Sequence, residues 1–451
     1  MSTALNNLPA SLQSVIQQGL LETAFKNPLE AKLGYRTVAD REPFLANIGE
    51  TITKTRAGLL PAITTPLAPA QNTDITNGLT AQNWAVEQYI LGIDQYSGST
   101  LLNVRTSRVA IANVFLRNAF DLAKQAAFSV DTLAYNVLFN AYIGGNTVVR
   151  VTLSAAGTAL LVNDIRGFQN TFNSEGQIVP ISANWPVNVQ VGADVYSCVG
   201  SVADTTNVSI TPGGISGTLK FATSVTVTDG TAGNAVVSAV APLITRPFNS
   251  STGVMAATTA NIAHGTNANG KMTMEMLLYA RATLADNGVE PVAGGAYRYF
   301  CSPMQAAGLF QDPAFQMLYR GQPNSAAFRR GVVQDILGID LVETNLNIAQ
   351  AYTGVGNVQR GILCGQGALI EGVFTDNAYA DAQEVDDDMI TMLDGIAHVI
   401  REPVDQLRQV VSQAWVYMGG FVVPTDMTTN PQTVPTASNA SYKRAVMIES
   451  L

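Results

Sequence analysis

The sequence predicts an α+β protein built around one long helix, and three observations support this fold class. Residues 108–142 carry an uninterrupted helical pattern. Residues 147–264 alternate short β-type runs with turns rich in Gly, Asn, Asp and Ser. From Lys271 onward, helical segments return and are interspersed with short strands. At 451 residues, the chain is long enough for two or three folding units.

The long helix is predicted from residues 108–142, which contain neither Pro nor Gly. Its apolar residues recur at steps of three and four and form one stripe: Val109, Ala112, Phe115, Ala119, Leu122, Ala126, Val130, Leu133 and Val137. Ser107 is a suitable N-cap, and Gly144-Gly145 a suitable stop. Such a helix measures roughly 52 Å, so we expect the rest of the chain to pack along it. The alternative is two helices joined by a kink.

The chain before this helix divides into two parts. Residues 1–33 read as one or two amphipathic helices without a core of their own, and residues 34–56 read as extended. Residues 57–104 begin Pro-rich and then offer two β-runs, near Asp74–Leu79 and Trp84–Asp94. A two-stranded loop with so little core potential is marginally stable alone. We therefore expect it to lie on a neighbouring molecule; the alternative is a hairpin folded onto its own domain.

The β-rich block at residues 147–264 predicts a small β-barrel or sandwich. Its runs include VVRVTLS at 148–154 and VNVQVGADVYSCVGSV at 187–202. One segment, Asn163–Phe172, is expected to be helical. Because the helix pattern resumes after this block, we interpret the block as a domain inserted into another.

The remaining chain predicts further helices and strands in alternation. The expected elements are a helix at 272–288, a strand at 296–301, a helix opened by Ser302-Pro303, a loop at 318–324, a strand at 339–342, a strand at 361–365 continued by 368–374, a strand-like tail within 384–403 and two β-runs around Gly419-Gly420 within 405–424. Pro at the first helical position and Ser before it are typical of a helix start.

Composition narrows the classes of function. Charged residues make up 13% of the chain, about half the usual share. Such a surface favours extensive protein–protein contact. The net charge of −9 argues against tight nucleic-acid binding through a broad basic face. The same negative charge would suit a protein wall that encloses nucleic acid without binding it.

The sequence offers no pattern of a catalytic or metal centre. It has two His and three Cys, all far apart, and lacks the GxSxG, HExxH and phosphate-loop motifs. We expect buried thiols and structural roles for His264 and His398, with no enzyme activity and no cofactor. Asp386, Asp387 and Asp388 could bind a divalent cation, but their spacing is not that of a calcium loop, and a solvated acidic turn is the simpler interpretation.

No signal peptide opens the chain, and no apolar run reaches the length of a membrane span, so we expect a protein made in a cytoplasm, without membrane association.

The order of these elements, including the "LGIDLVETN" and "WVYMGGFVV" segments, resembles the major capsid proteins of tailed bacteriophages with the Hong Kong 97-like fold. The β-rich block looks like the inserted domain of some podophage coat proteins. The resemblance covers nearly the whole chain but lies in element order, because no invariant motif carries it.

The resemblance implies a role for each part. Residues 1–56 would be the N-terminal arm, 57–104 the extended loop, 105–146 the spine helix of the peripheral domain, 147–264 the inserted domain, 265–383 the axial domain, and 384–451 the closing strands of the peripheral domain and the C-terminal tail. Partners would be copies of the chain in hexamers and pentamers, with scaffolding, portal and cement proteins as further candidates. Some family members cross-link through a Lys on the extended loop, and this chain has none between Lys54 and Lys124. Its stabilisation would therefore be non-covalent or supplied by a cement protein.

The candidate subunit contacts are charged or aromatic residues of the loop, a basic pair and an acidic run that could meet across subunits: Arg56, Asp74, Trp84, Glu87, Asp94, Arg329, Arg330, Asp386, Asp387 and Asp388. Exposed ion pairs contribute little singly, so they would set register more than strength. A virion-surface or secreted adhesion or receptor-binding protein is the alternative class. The β-rich block fits it, and the long helix and absent signal peptide do not.

Overall fold

The computed structural model describes residues 25–26, 34–44, 51–57, 86–103, 111–142, 146–163, 165, 168, 170–172, 178–204, 216–238, 243–249, 253–256, 262, 270–286, 288–292, 294–320, 335–346, 348–352, 356–374, 390–401, 406–407, 409–423 and 444–451. These residues confirm the α+β class. They form two compact units, the first from residues 1–52, 90–138 and 369–423, and the second from residues 53–89, 139–368 and 424–451.

The helices are α1 (Ile111–Tyr142), α2 (Met274–Asp286), α3 (Pro303–Phe310) and α4 (Pro313–Arg320), and a 3₁₀ turn spans Tyr35–Val38. The strands of the first half are β1 (Ala39–Phe44), β2 (Thr51–Ala57), β3 (Val86–Gly92), β4 (Asp94–Asn103), β5 (Asn146–Val148), β6 (Gly157–Val162), β7 (Asn170–Phe172), β8 (Ile178–Pro180), β9 (Val187–Val191), β10 (Asp194–Ala203), β11 (Gly217–Val225) and β12 (Ala235–Ser238). Those of the second half are β13 (Leu243–Thr245), β14 (Tyr297–Cys301), β15 (Asp335–Ile336), β16 (Ile339–Glu343), β17 (Ile348–Tyr352), β18 (Gly356–Cys364), β19 (Leu369–Phe374), β20 (Ile390–Leu393), β21 (Ile396–Arg401), β22 (Val410–Val422) and β23 (Ala445–Ser450).

The first unit contains sheet 1, in the order β1-β19-β22-β21-β20, with β4 also paired to β22. The register between β4 and β22 runs antiparallel from Asn103 opposite Val410 to Asp94 opposite Gly419. Strand β22 therefore pairs with β19, β21 and β4, of which β4 is far from the other two in sequence. Strands β2 and β3 pair with each other in a separate two-stranded sheet.

Helix α1 packs through an Ala-rich face. Its 32 residues form one element about 48 Å long, which confirms the single helix over the kinked alternative. The buried face includes Ala119, Ala123, Ala126 and Ala127. Small side chains let a helix approach its packing partners closely, and here a hydrophobic cluster joins this face to Trp415 and other residues of sheet 1.

The buried stripe of α1 departs from the prediction in its last turns. The stripe residues from Phe115 to Val130 are buried as expected, whereas Leu133 and Val137 are only half-buried; the buried stripe residues are Phe115, Ala119, Leu122, Ala126 and Val130. Ala134 and Leu138 take their places in the core. The predicted stripe repeats every 3.5 residues, and a straight helix with 3.6 residues per turn drifts away from such a repeat by about 20° per heptad.

The second unit contains two larger sheets. Sheet 2 has the order β5-β12-β9-β10-β11-β6 and encloses a core of Val, Leu and aromatic residues that includes Phe168, Val189 and Phe221. Sheet 3 has the order β13-β23-β18-β14-β16-β15, with β17 paired to β18. Helices α2 and α3 contribute to the core of sheet 3 through Met276, Leu277 and Leu309.

Helix α3 begins as predicted. The Ser302 side chain accepts a hydrogen bond from the Gln305 amide at 3.1 Å, and Gln305 Oε1 accepts one from the Ser302 amide at 3.3 Å. This reciprocal pair is a capping box, which satisfies two amides at the helix start. The prediction from Ser302-Pro303 is therefore confirmed.

Four local predictions are wrong. Asn163–Phe172 is not helical in its described residues, since Asn170–Phe172 forms β7 and pairs with β8. Residues 368–374 do not continue the preceding strand, because β18 belongs to sheet 3 and β19 to sheet 1. Strand β22 passes through Gly419-Gly420 without a break. Residues 318–320, the start of the expected loop, are helical because α4 extends to Arg320.

Two predicted regions are only partly described. Of the arm helices expected in residues 1–33, Phe25 and Lys26 are described, and both are helical. The β-run near Asp74–Leu79 lies outside the described residues, while the run near Trp84–Asp94 is represented by β3 and the start of β4.

Candidate functional site

The β3–β4 segment has its base at the turn where β3 ends and β4 begins. This base is held by close backbone packing in the first unit. Leu91 is fully buried, and its side chain occupies the space beside the Cα of Gly372. A Cβ at Gly420 would overlap the carbonyl oxygen of Gly92. The turn between β3 and β4 therefore fits only because Gly residues occupy both neighbouring strands. This contact fixes the end of β3 against sheet 1.

A buried ion cluster lies beside this base. The Arg36 guanidinium donates to Glu371 through Nε at 2.9 Å and to Asp394 through Nη1 at 3.0 Å. The Tyr417 hydroxyl donates to Glu371 Oε1 at 2.8 Å. Burial, followed by the Glu371 charge, raises the pKa of Tyr417. Arg41 pairs with Asp394, and this hydrogen bond raises the Arg41 pKa despite its partial burial. Segments far apart in sequence are thereby joined.

Asp131 extends the ion cluster to α1. Its Oδ1 accepts hydrogen bonds from the amides of Gly34, Tyr35 and Arg36 at 3.0, 2.6 and 3.3 Å. These amides open the 3₁₀ turn, where the sequence predicted an extended Thr37-Val38. The carboxylate explains the difference, since it satisfies three amides that otherwise lack partners at a helix start. Burial raises the pKa of Asp131, and the three amides oppose that effect.

The second unit has its own buried ion cluster. Glu449 accepts from Arg246 Nε at 2.8 Å and from Arg360 Nε at 3.0 Å. All three side chains are at most 6% exposed. Burial alone would raise the pKa of Glu449, but the two guanidiniums outweigh it and lower the pKa to about 2. The cluster joins β18 and β23 to the residue that follows β13.

Exposed apolar side chains mark the surfaces available for protein contact. On the first unit, Leu101 of β4 is 70% exposed, and Phe128 of α1 is 58% exposed. On the second unit, Met304 and Met317 are 63% and 69% exposed. Single exposed apolar residues are common, but aromatic and Met side chains are enriched at protein interfaces.

The structure describes three of the ten sequence-predicted contact residues, namely Arg56, Glu87 and Asp94. Asp94 is exposed on β4, where it accepts a hydrogen bond from the Tyr96 hydroxyl at 3.5 Å. Burial, aided by Asp94, raises the pKa of Tyr96. Arg56 lies in β2 and Glu87 in β3. Outside the described residues lie Asp74, Trp84, Arg329, Arg330, Asp386, Asp387 and Asp388.

Sequence reasoning missed the residues of both ion clusters. A signal was present, because Glu371 and Glu449 are each the single charged residue of the largely apolar strands LIEGVF and AVMIES. An acidic residue is almost never fully buried unless it is paired. Such an isolated carboxylate predicts a buried Arg partner, although the sequence does not say which Arg.

The described cysteines and possible metal ligands were both predicted from the sequence to lack a reactive arrangement. Cys198, Cys301 and Cys364 are buried thiols, as predicted. Burial raises the pKa of Cys301 to about 12, which disfavours the nucleophilic thiolate. Within the described ranges, no group of three or more His, Cys, Asp or Glu side chains could hold a metal ion. None of the helices described here is both long enough and apolar enough to span a membrane.

Comparisons with known proteins give structural similarities alone. No protein-family model matches the sequence, and no curated protein matches it. The fold is similar to the capsid of Ralstonia phage GP4, with a TM-score of 0.48 and 13% identity over 94% of this chain and 90% of that chain. It is similar to the cyanophage Pam1 capsid, with a TM-score of 0.49 and 10% identity over 94% of this chain and 92% of that chain. The capsid of cyanophage P-SCSP1u gives a TM-score of 0.44 and 11% identity over 93% of this chain and 88% of that chain. Because these TM-scores lie below 0.5, the likeness by itself assigns no function.

Proposed function

We propose that this chain is the major capsid protein of a tailed bacteriophage, with the Hong Kong 97-like fold and an inserted β-domain. Copies of the chain would assemble into pentamers and hexamers that tile the icosahedral head shell around double-stranded DNA. The structures to which this fold is similar include two phage capsids.

The observation that carries the proposal is the order of elements around α1. An arm segment, a two-stranded β2–β3 sheet, the 32-residue helix, a β-block, a mixed α/β part and the returning strands β20–β22 follow one another along the chain. This is the order for which the sequence resembles the capsid family. The support for the assignment therefore comes from the order of elements in this chain.

The domain roles follow from the same order. The first unit, with α1 and sheet 1, would be the peripheral domain, and sheet 3 with α2 and α3 would be the axial domain. Sheet 2 would be the inserted domain. Strand β13, which lies before residue 264, pairs with β23 of sheet 3, so the insertion would end between β12 and β13. Strand β23 would likewise belong to the axial domain.

Contacts between copies would use the extended loop and the exposed apolar residues. The β2–β3 sheet pairs with none of the other described strands, which suits a segment that reaches a neighbouring subunit. Closure of symmetric rings would then make many weak contacts stable together. The candidate ionic contacts, such as the Arg329-Arg330 pair with the acidic run from Asp386, would set register.

The remaining parts of the proposal, which concern activity, location and partners, follow from the role of a shell subunit. The protein would have no enzyme activity or cofactor, would assemble in the host bacterial cytoplasm and would reside in the virion. Scaffolding, portal and cement proteins are its further proposed partners. The net charge of −9 would limit adhesion to the enclosed DNA.

The test is the size distribution of the purified chain. Sedimentation and negative-stain microscopy at several concentrations, with and without co-expressed candidate scaffold, should give shells, capsomer rings or sheets. A discrete trimer under all conditions would contradict the proposal and favour the adhesion or receptor-binding class. A chain that stays monomeric even with scaffold would also contradict it.

A further inference from the structure

Phe25 of the N-terminal segment is inserted into the core of the first unit. Its side chain is 0% exposed. It belongs to a buried cluster with Leu122, Ala123, Ala126, Ala127 and Val130 of α1 and with Ile396, Trp415 and Tyr417 of sheet 1. We call this set, with His398, the Phe25 cluster. The Ala residues leave room beside the helix for one aromatic ring, so Phe25 fixes the arm at this point.

The ring that faces Phe25 is the imidazole of His398. The two rings stack with centroids 4.6 Å apart and planes inclined by 25°. His398 is 1% exposed and lies in β21, opposite Thr391 of β20 and Trp415 of β22. Its Nε2 has no hydrogen-bond partner among the described residues. A neutral imidazole stacks well in this place, whereas an imidazolium would be a buried cation.

The charged groups near the Phe25 cluster offer His398 little compensation. Strand β20 (ITML) and strand β22 (VVSQAWVYMGGFV) contain no ionisable acid or base except Tyr417, whose hydroxyl donates to Glu371. On α1, Asp131 is bound to the amides of residues 34–36, and the Lys124 ammonium lies over the ring of Phe120. Lys26 follows Phe25 and is exposed, and Arg401 ends β21 and is exposed.

We propose that the Phe25 cluster is an acid-sensitive docking site for the N-terminal arm, in which a neutral His398 holds Phe25 and a protonated His398 releases it. This goes beyond the proposed function and does not depend on it, because Phe25 and His398 belong to the same chain and unit. In a shell, acid would loosen each arm before the sheet itself unfolds.

The direction of the pH dependence follows from the linkage between proton binding by His398 and docking of Phe25. Burial lowers the pKa of His398 from 6.5 to about 4 in the docked state. The undocked state therefore binds the proton more readily, and docking is favoured fully above pH 6.5 and progressively less as the pH falls toward 4. If Phe25 provided all of this burial, protonation would weaken docking by about 300-fold.

The first experiment measures backbone hydrogen exchange of the peptide containing Phe25 between pH 7.5 and 4, corrected for the intrinsic rate at each pH. In the natural sequence, protection should fall by up to about 150-fold between pH 7.5 and 4, because half of the docked His398 would be protonated at pH 4. In His398→Gln, which cannot be protonated, protection should stay constant. Peptides from β22 should remain protected in both proteins. Equal acid sensitivity in the two proteins, or an unchanged Phe25 peptide in the natural sequence, would overturn the proposal.

The second experiment is reciprocal and holds even if His398→Gln does not fold. Slow exchange of the imidazole C2 proton, followed by mass spectrometry, reports the pKa of each of the two His residues in subunits or shells alike. Phe25→Ala should raise the His398 pKa toward 6.5, while Phe128→Ala, at an exposed Phe of α1, should leave it unchanged. An identical His398 pKa in Phe25→Ala and the natural sequence would refute the coupling.

Discussion

At the residue scale, Glu449 shows how a strand accommodates a buried charge. Each of its oxygens accepts from a different guanidinium, which offsets much of the cost of removing three charges from water. Removing one member of such a group is more destabilising than the group itself is stabilising, because the remaining charges stay buried.

Glu449→Gln should therefore destabilise the second unit by about 3–5 kcal/mol. The amide keeps the shape but leaves two buried guanidiniums without their shared carboxylate. Urea unfolding of the purified subunits measures the change. Asp340→Asn is the matched control, because its pair with Arg298 is partly exposed and should be worth less than about 1 kcal/mol. Equal effects of the two changes would mean that the Glu449 cluster contributes little.

Glu449 also predicts a pH dependence. Its folded-state pKa is about 2, below the ordinary value of 4.5, so its contribution is complete above pH 4.5 and is lost as the pH falls toward 2. Unfolding midpoints measured across this range should fall more steeply in the natural sequence than in Glu449→Gln. Parallel pH profiles would exclude Glu449 as a source of acid sensitivity.

Gly420 illustrates a backbone contact that tolerates no side chain. Gly420→Ala should displace the β3–β4 turn, since its Cβ would overlap the Gly92 carbonyl oxygen. We expect a loss of about 1–3 kcal/mol in unfolding free energy and faster hydrogen exchange in β3. Gly200→Ala is the control, because its Cβ would meet no atom within 4 Å. Normal exchange in β3 of Gly420→Ala would show that the turn can shift without cost.

At the element scale, α1 was the most predictable part of the chain because its signal is long and uninterrupted. Errors occurred where local patterns were short. Asn163–Phe172 contains residues compatible with a helix, yet its end pairs with β8. Gly419-Gly420 suggested a break, yet close packing against Gly92 and Gly372 requires glycines within a continuous strand. Tertiary partners decided both cases.

Val130→Pro should abolish soluble protein or assembly. Val130 is fully buried in the middle of α1, where Pro removes a backbone hydrogen bond and clashes with the preceding turn, at a cost of about 3 kcal/mol or more. Expression and circular dichroism provide the measurement. Ala112→Pro is the control, since it lies in the first turn of α1, where Pro is tolerated. A soluble, assembling Val130→Pro would count against α1 as the element on which the first unit depends.

At the scale of the whole molecule, the exposed apolar residues should govern association more than folding. Leu101→Asp and Phe128→Asp should each leave the unfolding midpoint nearly unchanged but reduce assembly at least tenfold, because each would place a charge in a desolvated contact. Quantitative sedimentation of assembled and free subunits measures the effect.

Val151→Asp, at a side chain 50% exposed on the β-block of the second unit, serves as a control for a charge added outside the first unit. If all three variants assemble like the natural sequence, neither Leu101 nor Phe128 lies in a contact between copies.

The sequence by itself determined the α+β class, the long helix, the position of the β-rich block and the start of α3, because each is encoded by periodicity or by a local capping pattern. Tertiary structure alone decided which strands share a sheet, where α1 shifts its buried face, and which charges pair. Arg36 and Glu371, for example, meet across 335 residues of chain. Local sequence fixes backbone preference over a few residues, but the partner of a buried charge or strand edge is chosen by whichever distant segment the folded chain brings beside it.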